Sequence, residues 1–192
     1  MSSGWHVQQA RQDAIRWAQE VLAANALVID LETTGTSNAE IIQIGIVDSS
    51  GTVLMDQLVK PRRPIPVAAT AVHGITNDMV QDAPPFEDVA MLFSAMVARR
   101  VAVAYNAAFE KKMITGVCKS YEIAQVRPAR WDCAMENYAK YYGRWNAKRR
   151  SFRWQKLIDA CHQQQITIAN AHRAVGDAQM TLALVQHMSE QT

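Results

Sequence analysis

The sequence lacks the cysteine patterns that stabilise small secreted domains or bind zinc. It contains three cysteines among 192 residues, and Cys118, Cys133 and Cys161 lie far apart, with no Cys-x-x-Cys pair. An odd number of widely spaced cysteines argues against a disulfide framework and against a structural zinc site. We therefore expect reduced thiols in a cytoplasmic protein, because disulfides are rare in that compartment.

The sequence also lacks a long apolar segment and a strong net charge. No run approaches the ~18 apolar residues of a membrane span. Arg11, Asp13, Arg16 and Glu20 interrupt the segment in which a signal peptide would lie, so we expect no membrane partner. The formal net charge of +2 creates no global field, and any polyanion must therefore be bound by a local basic patch.

Glycine and proline are sparse as well, at 8 and 6 residues, while 49% of the chain is apolar. This composition excludes a large disordered share and is typical of a globular protein. A chain of this length can bury the core of one domain. We expect an N-terminal helix, residues 1–24, that packs on the outside of a single domain over residues 25–192. Binding of a partner by that helix is the alternative.

Hydrophobic periodicity predicts an α/β fold with a mixed central sheet of about five strands flanked by helices. The expected strands cover residues 26–29, 41–47, 52–59, 101–104 and 130–132, and the second and third form a hairpin. The expected helices cover residues 6–23, 86–98, 107–118, 133–142, 152–163 and 175–188. The prolines between residues 61 and 66 predict an extended connection. In the helix over 86–98, Leu92 and Phe93 fall on one apolar face.

Asp30 and Glu32 follow the first apolar strand. Because side chains alternate along a strand, both carboxylates face one side while Leu31 faces the other. Two acids on one face repel unless a cation neutralises them, and hard cations such as Mg²⁺ or Mn²⁺ prefer oxygen ligands. These residues are candidate metal ligands. The alternative is a solvated strand end whose acids face water.

Asn106 and Glu110 lie at the start of the helix expected over residues 107–118. A helix N-terminus favours negative charge, and its free N–H groups can face a phosphate, which makes Asn106 a candidate substrate contact. The local sequence supports a simpler alternative, in which Asn106 caps the helix and Glu110 is a surface acid near the positive end of its dipole. Phe109 is expected in the core.

His172 and Asp177 lie at the beginning of the last expected helix. We expect Asp177 to project from the first turn or two toward the strand carboxylates, and His172 to approach them from the solvent side. Histidine is suited to accept a proton from water near neutral pH. His73, within residues 72–76, is interpreted as structural.

Three strings together resemble the motifs of the DnaQ-like 3′→5′ exonucleases. They are Asp-Leu-Glu-Thr-Thr-Gly at residues 30–35, Asn-Ala-Ala-Phe-Glu at 106–110, and His-Arg-Ala-Val-Gly-Asp at 172–177. The resemblance extends from about residue 27 to residue 185, and the histidine places the chain in the DEDDh subgroup. It implies a ribonuclease H-like fold, which the periodicity alone does not select.

The resemblance also implies the roles of five residues and a cofactor. It implies two divalent metal ions, Mg²⁺ or Mn²⁺, with Asp30 shared by both. Glu32 and Asp177 would complete the first ion's ligands, and Glu110 would support the second. His172 would deprotonate the attacking water.

The same resemblance implies a contact with the substrate in the turn after the first strand. There Thr33, Thr34 and Gly35 would contact the terminal nucleotide. The chain departs from the family at two positions. The family usually has Asp at the position of Glu110, and an apolar residue beside the terminal base at the position of Thr36.

A basic, aromatic segment lies between residues 137 and 158, where the sequence has no acid. Positive charge follows a phosphate backbone, and aromatic rings stack on unpaired bases. We expect strand contacts from the cations Lys148, Arg149 and Arg150. Most aromatic rings in the segment are expected to be buried, with Trp145 as the exception and a candidate substrate contact. The alternative is an ordinary basic loop that its aromatics anchor to the core.

The leading hypothesis is a metal-dependent 3′→5′ exonuclease that releases nucleoside monophosphates and prefers a single-stranded or frayed 3′ end. One alternative is a nucleic-acid-binding module of the same fold with weakened catalysis. Another is a proofreading or repair subunit that serves a polymerase. The sequence leaves open the choice between DNA and RNA, the pathway and the oligomeric state.

Overall fold

The structure, a computed structural model, describes the backbone of residues 3–191 and the side chains of residues 6–191. Its centre is a sheet of five strands: β1 (Leu27–Thr33), β2 (Ile41–Val47), β3 (Val53–Leu58), β4 (Val101–Ala104) and β5 (Arg130–Cys133). Their order is β3-β2-β1-β4-β5. The first three pair antiparallel, while β4 pairs parallel with β1 and with β5. The predicted mixed sheet of five strands is confirmed.

Helices cover both faces of this sheet. They are α1 (Ser3–Ala23), α2 (Val67–His73), α3 (Asn77–Val80), α4 (Phe86–Val97), α5 (Ala107–Ser120), α6 (Ala134–Tyr142), α7 (Leu157–Gln163) and α8 (Ala174–Ser189). A second, two-stranded sheet consists of β6 (Trp145–Asn146) and β7 (Ser151–Phe152). The α/β class predicted from the sequence is therefore correct.

The alternation of side chains along β1 divides the core into two layers. Leu27, Ile29 and Leu31 pack in one cluster with apolar residues of α4 and α5. Val28, on the opposite face, packs in another cluster with residues of α1, α6 and α8. Because alternate residues share a face, Asp30 and Glu32 lie on the α8 side of the sheet.

Two short helices, α2 and α3, follow the proline-rich segment, and the sequence analysis did not predict them. Residues 61–66 form no strand or helix, as expected. Pro66 is the residue before α2, where a proline lacks only an N–H group that has no partner in the helix. Gly74 ends α2 in the left-handed conformation, with φ of 72°. The prolines therefore precede a helix and do not interrupt one.

Two further predictions were wrong. The helix expected from residue 152 begins only at Leu157, because Phe152 pairs with Trp145 in the β6–β7 hairpin. The ring centroids of these two residues are 5.1 Å apart. Leu92 does not share the buried face of α4, since 57% of it is exposed, whereas Phe93 is fully buried.

Helix α1 packs against α6 and α8. Its Ala14, Ile15, Ala18 and Val21 are buried in the same cluster as residues of α8. The division between residues 1–24 and 25–192 stays a prediction. Within residues 3–191, no helix is both long and apolar enough to cross a membrane.

Candidate active site

Strand β1 brings two carboxylates to one face of the sheet. Asp30 lies opposite Gly45 of β2, and Glu32 lies opposite Gln43. Both acids are partly exposed, while the intervening Leu31 is buried on the other face. The predicted orientation of the Asp-x-Glu pair is therefore correct.

The start of α8 supplies the third carboxylate. Asp177 lies in the first turn of this helix, and a carboxylate oxygen from each of Asp30, Glu32 and Asp177 lies within 4.8 Å of the other two. Gly45 permits this approach, because a Cβ atom there would be 2.4 Å from the carbonyl carbon of Ala174. Gly45 was not among the predicted site residues, although a glycine inside a buried strand often indicates a close backbone approach.

Glu110 adds a fourth carboxylate from the first turn of α5. Only 4% of the residue is exposed, and its buried Oε2 has no hydrogen-bond partner among the described residues. The alternative of a solvated surface acid is therefore wrong. Asn106 does cap the helix, since its Oδ1 accepts a hydrogen bond from the N–H of Phe109 at 3.4 Å.

Neighbouring carboxylates raise the pKa values of Asp30, Glu32 and Glu110, and burial raises those of all four acids. Burial is the largest cause for each, and it raises the pKa of Asp30 and of Glu110 well above the usual range. Burial and Asp177 raise the pKa of Glu32 to about 7, although Arg173 opposes this shift. The pKa of Asp177 is also raised.

The repulsion between these acids indicates whether the site suits metal ions, because a bound cation would neutralise their charges. None of the ion pairs between described residues includes any of the four acids. Buried carboxylates without a cation are costly, and an oxygen-only ligand set matches the preference of Mg²⁺ and Mn²⁺. The residues present therefore fit divalent ions.

His172 lies on the turn before α8 and is exposed. Its φ of 60° is left-handed, a conformation that histidine adopts more readily than most residues. Its backbone N–H donates a hydrogen bond to Asp177 Oδ1 at 2.9 Å. His73, in contrast, is buried, and its Nδ1 accepts a hydrogen bond from the N–H of Ile75 at 3.0 Å, which agrees with its structural interpretation.

The turn after β1 is held by its own hydroxyl groups and by Glu40. Thr33 Oγ1 donates to the carbonyl of Gly35 at 2.7 Å, and Thr34 Oγ1 accepts from the N–H of Glu40 at 2.9 Å. The buried Glu40 carboxylate accepts from Arg63 Nε at 2.7 Å and from the hydroxyl of Tyr121 at 2.5 Å. These bonds fix the turn beside the carboxylates.

Gln43 is a second residue that the sequence analysis missed. Its Nε2 donates to Asp56 Oδ1 at 2.7 Å, which orients its Oε1 toward α8. That oxygen accepts from Arg173 Nε at 3.1 Å and from the N–H of Ala174 at 3.3 Å. Gln43 therefore joins the sheet to the residues that follow His172. Its position as the one polar side chain within the apolar run 41–47 could have identified it as a site residue.

The candidate substrate contacts of the basic segment lie apart from the carboxylates in sequence, on the β6–β7 hairpin. Trp145, Lys148, Arg149 and Arg150 are all exposed. Trp154, which the sequence analysis expected to be buried, is the more exposed tryptophan, at 65% against 45% for Trp145. That expectation was wrong: Trp154 follows β7 in a segment without regular structure, and most of its surface is exposed.

Residues 27–185 match the sequence pattern of the exonuclease family RNase_T. The chain belongs to this exonuclease family. The similarity to DnaQ-like exonucleases that the three motifs predicted is confirmed, and so is the prediction of a nuclease.

Two curated relatives indicate how the exonuclease compares with whole proteins. It is 34% identical over 186 residues to "Uncharacterized exonuclease CP81" of Escherichia phage 186, with 93% of each chain covered. It is 31% identical over 167 residues to "3'-5' exonuclease DinG" of Staphylococcus aureus (strain USA300), with 84% of this chain but 18% of that protein covered. The chain therefore spans a small part of the second relative.

Solved structures confirm the ribonuclease H-like fold of the exonuclease. One is described as exonuclease X in complex with 5′ overhanging duplex DNA. It has a TM-score of 0.64 and 28% identity, over 87% of this chain and 94% of that one. Another is described as the nuclease domain of 3'hExo, a DEDDh family member, bound to rAMP. Its TM-score is 0.63 at 17% identity, over 84% of this chain and 90% of that one, so it supports the fold alone.

Substitution of Gln43 tests whether its contact with α8 supports the exonuclease site. Gln43→Met removes the acceptor of Arg173 and Ala174 at similar volume, and we expect activity to fall about 10- to 100-fold, as for other residues that orient metal ligands. Gln43→Glu keeps an oxygen that accepts both bonds, but it loses the donor to Asp56 and repels that acid. Its activity should therefore lie between those of Gln43→Met and the wild type. Steady-state rates with Mg²⁺ would measure this.

Asp56→Ala is the companion variant, because it removes the bond that orients Gln43 but keeps the acceptor of Arg173 and Ala174. It should lower activity less than Gln43→Met does. Equal rates for Gln43→Met and the wild type would refute the positioning role. A Gln43→Glu rate as low as that of Gln43→Met would show that the bond to Asp56 matters instead.

Proposed function

We propose that this protein is a metal-dependent 3′→5′ exonuclease, which hydrolyses the phosphodiester bond at a nucleic-acid 3′ end and releases nucleoside monophosphates. The observation that carries this proposal is the cluster of carboxylates. Asp30, Glu32 and Asp177 have oxygens within 4.8 Å of one another, Glu110 has a buried oxygen without a partner, and the exposed His172 adjoins them.

The four carboxylates would hold two ions, Mg²⁺ or Mn²⁺. Asp30 would bind both ions, because it lies close enough to each of the other three carboxylates for their charges to raise its pKa. Glu32 and Asp177 would complete one site, and Glu110 would support the other. The bound ions would stabilise the negative charge that develops on the phosphate and on the leaving 3′ oxygen.

His172 would accept the proton from the attacking water. Its imidazole is exposed, whereas its backbone is fixed by the bond to Asp177. This arrangement holds the base beside the carboxylate cluster and leaves its ring accessible to a water molecule, and a general base must lie within hydrogen-bond reach of the water that it deprotonates. The water would approach the phosphate on the side opposite the leaving oxygen.

Thr33, Thr34, Gly35 and Asn106 would contact the terminal nucleotide. The turn that contains the first three is held by Glu40 next to the acids, and Asn106 begins the helix that carries Glu110. A preordered turn supports this role, because a contact that is already in place loses little entropy when the nucleotide binds.

A panel of labelled substrates tests the proposal. Single-stranded DNA, duplex DNA and short RNA, each labelled at the 3′ or the 5′ end, would be incubated with Mg²⁺, Mn²⁺ or EDTA. A 3′→5′ exonuclease releases labelled monophosphate at once from 3′-labelled strands and produces a ladder from 5′-labelled strands. Release from 5′ labels first, internal cuts, or equal rates in EDTA would each refute the proposal.

Two other functions have some support. Glu110 stands outside the group of three clustered acids, which favours a nucleic-acid-binding module with weakened catalysis. Binding of every substrate without hydrolysis would establish that function.

A polymerase-associated role is suggested by a relative named "DNA polymerase III subunit epsilon-like protein" of Rhodobacter capsulatus. This chain is 43% identical to it over 97 residues but covers 14% of its length. Faster removal of mismatched than of paired primer ends would favour that role.

Replacement of Glu110 tests the residue at which the chain departs from its family. Glu110→Asp shortens the side chain by about 1 Å and should lower the Mg²⁺-dependent rate, because a misplacement of that size can cost up to ~100-fold. Glu110→Ala should lose more activity. Glu110→Gln, of equal size, is the control that removes only the charge. If Glu110→Ala matches the wild type, Glu110 has no part in the metal site.

A further inference from the structure

One segment of this chain has a large excess of positive over negative charge. Residues 144–156 contain six cations and no acid, while the whole chain has a formal net charge of only +2, so the remainder is net acidic. All six are exposed, and none takes part in the ion pairs between described residues: Arg144, Lys148, Arg149, Arg150, Arg153 and Lys156. We call residues 144–156 the basic hairpin.

The basic hairpin has a defined shape. Trp145 pairs with Phe152, and the N–H of Arg153 donates to the carbonyl of Arg144 at 2.9 Å. Asn146 Oδ1 accepts from the N–H of Arg149 at 3.1 Å, which closes the turn. These bonds hold the cations on a fixed support, so their geometry is available before any ligand binds.

A groove of about 620 Å³ runs along this hairpin. Two cations, two aromatic rings and two polar residues line it: Asn146, Arg149, Ser151, Phe152, Arg153 and Trp154. Trp154 is 65% exposed, and a large apolar ring is costly to leave in water unless a ligand covers it. The groove therefore combines charge for phosphates with a flat face for a base.

The basic hairpin is anchored at the edge of the sheet where the carboxylates lie. Tyr105 follows β4 directly, and its hydroxyl donates to the carbonyl of Gln155 at 2.9 Å. Gln155 is the residue after Trp154. Because β4 is parallel to β1, the ends of both strands lie at the same edge, and β1 carries Asp30 and Glu32 toward it.

We propose that the basic hairpin binds a single-stranded part of the nucleic acid, on the 5′ side of the terminal nucleotide that the carboxylates hold. This inference rests on the proposed exonuclease function and names its substrate class. Arg149 and Arg153 bind phosphates, and Trp154 stacks on an unpaired base. A single strand is the occupant because a base within a duplex has both faces covered by its neighbours.

Trp145 has a supporting role in this arrangement. Its ring lies edge-on against Phe152, and the two residues are paired across the hairpin. It therefore stabilises the support on which Trp154 and the arginines stand. Stacking on a base belongs to Trp154, because that ring has the larger free surface.

Binding of a labelled single strand of about 12 nucleotides, a length within the range that such sites cover, tests the proposal. Fluorescence anisotropy would be measured in EDTA, so that binding is separated from hydrolysis. Trp154→Ala should weaken binding about 5- to 100-fold, the range for one stacked base, while Trp154→Phe should retain most of it. Arg149→Gln with Arg153→Gln should reduce the slope of log K against log salt by about 1.4, or 0.7 for each lost phosphate contact.

Lys119→Gln with Arg127→Gln is the charge-matched control. Lys119 lies in the last turn of α5 and Arg127 lies before β5, at the opposite edge of the parallel strands, and both are exposed. This variant should bind as the wild type does. If it lost as much affinity as the hairpin variant, the effect would reflect net charge alone and the proposal would be wrong.

Thymidine 5′-p-nitrophenyl phosphate, which has no strand beyond one nucleotide, separates the two proposals. Hairpin variants should hydrolyse it at the wild-type rate but should degrade the longer strand more slowly. Unchanged strand affinity in Trp154→Ala and in the double arginine variant would overturn the inference, as would an equal loss of affinity for blunt duplex DNA. If the wild type released neither p-nitrophenol nor nucleotides, the proposed function itself would fail.

Discussion

Replacing Asp30 by asparagine is expected to abolish phosphodiester hydrolysis without unfolding the protein. The substitution keeps size and shape but removes the charge that both ions would share. Asp30 is the acid whose pKa is raised by burial and by Glu110, Asp177 and Glu32 together, so it is at the centre of the cluster. Retention of more than a few per cent of wild-type turnover would refute the two-ion assignment.

Thermal unfolding gives this prediction a readout besides activity. Without divalent ions, Asp30→Asn should be at least as stable as the wild type, because the variant has one negative charge fewer among four neighbouring acids. At a Mg²⁺ or Mn²⁺ concentration ~100 times its Kd, binding should stabilise the wild type by about 2.7 kcal/mol for each ion. The variant should gain much less.

The control for Asp30→Asn is Asp82→Asn. Asp82 is exposed and lies in the turn between α3 and α4, so the same chemical change should leave both turnover and the ion-dependent rise in Tm unchanged. An equal loss in both variants would indicate a general effect of charge and would exclude a specific role for Asp30.

Replacing His172 by alanine should lower turnover by about 100-fold or more, within the range for loss of a general base. The imidazole is exposed beside the cluster, and the backbone N–H that holds Asp177 is kept in the variant. Metal ions should therefore still raise the Tm as in the wild type. Unchanged turnover would make His172 a structural residue.

Two further variants serve as controls, one for the backbone conformation at residue 172 and one for the loss of an exposed histidine. Residue 172 has a φ of 60°, which disfavours alanine, whereas asparagine tolerates it. His172→Asn should lose as much activity as His172→Ala, since neither can accept the proton. His162→Ala changes an exposed histidine of α7 and should leave turnover unchanged. Loss of ion-dependent stabilisation in His172→Asn would make His172 a metal ligand.

Local patterns determined much of the fold and the site. The alternation of residues in β1 placed Asp30 and Glu32 on one face, because this orientation is a property of any extended chain. Helix periodicity predicted α8 and placed Asp177 in its first turn or two. The turn chemistry after Val47 predicted the β2–β3 hairpin. These features require only neighbours in sequence.

The predictions from local sequence were wrong where a segment could adopt either of two structures, or where either of two faces of a helix could be buried. Residues 152–163 have helical spacing, yet Phe152 pairs with Trp145 and α7 begins later. The face assigned to Leu92 was wrong because α4 meets the sheet along a narrower stripe than its apolar residues span. Both outcomes depend on which other elements pack against the segment. The spacing of residues within the segment does not contain that information.

Only the tertiary structure decided how the site is closed. Gly45 admits the backbone of Ala174, Gln43 bonds to Arg173, and Glu110 is buried against acids that come from other elements. Each of these contacts joins residues at least 67 positions apart. The sequence by itself therefore determined which groups the site contains, and packing between the sheet and α5 and α8 determined how close they come, because distances across elements depend on the whole core.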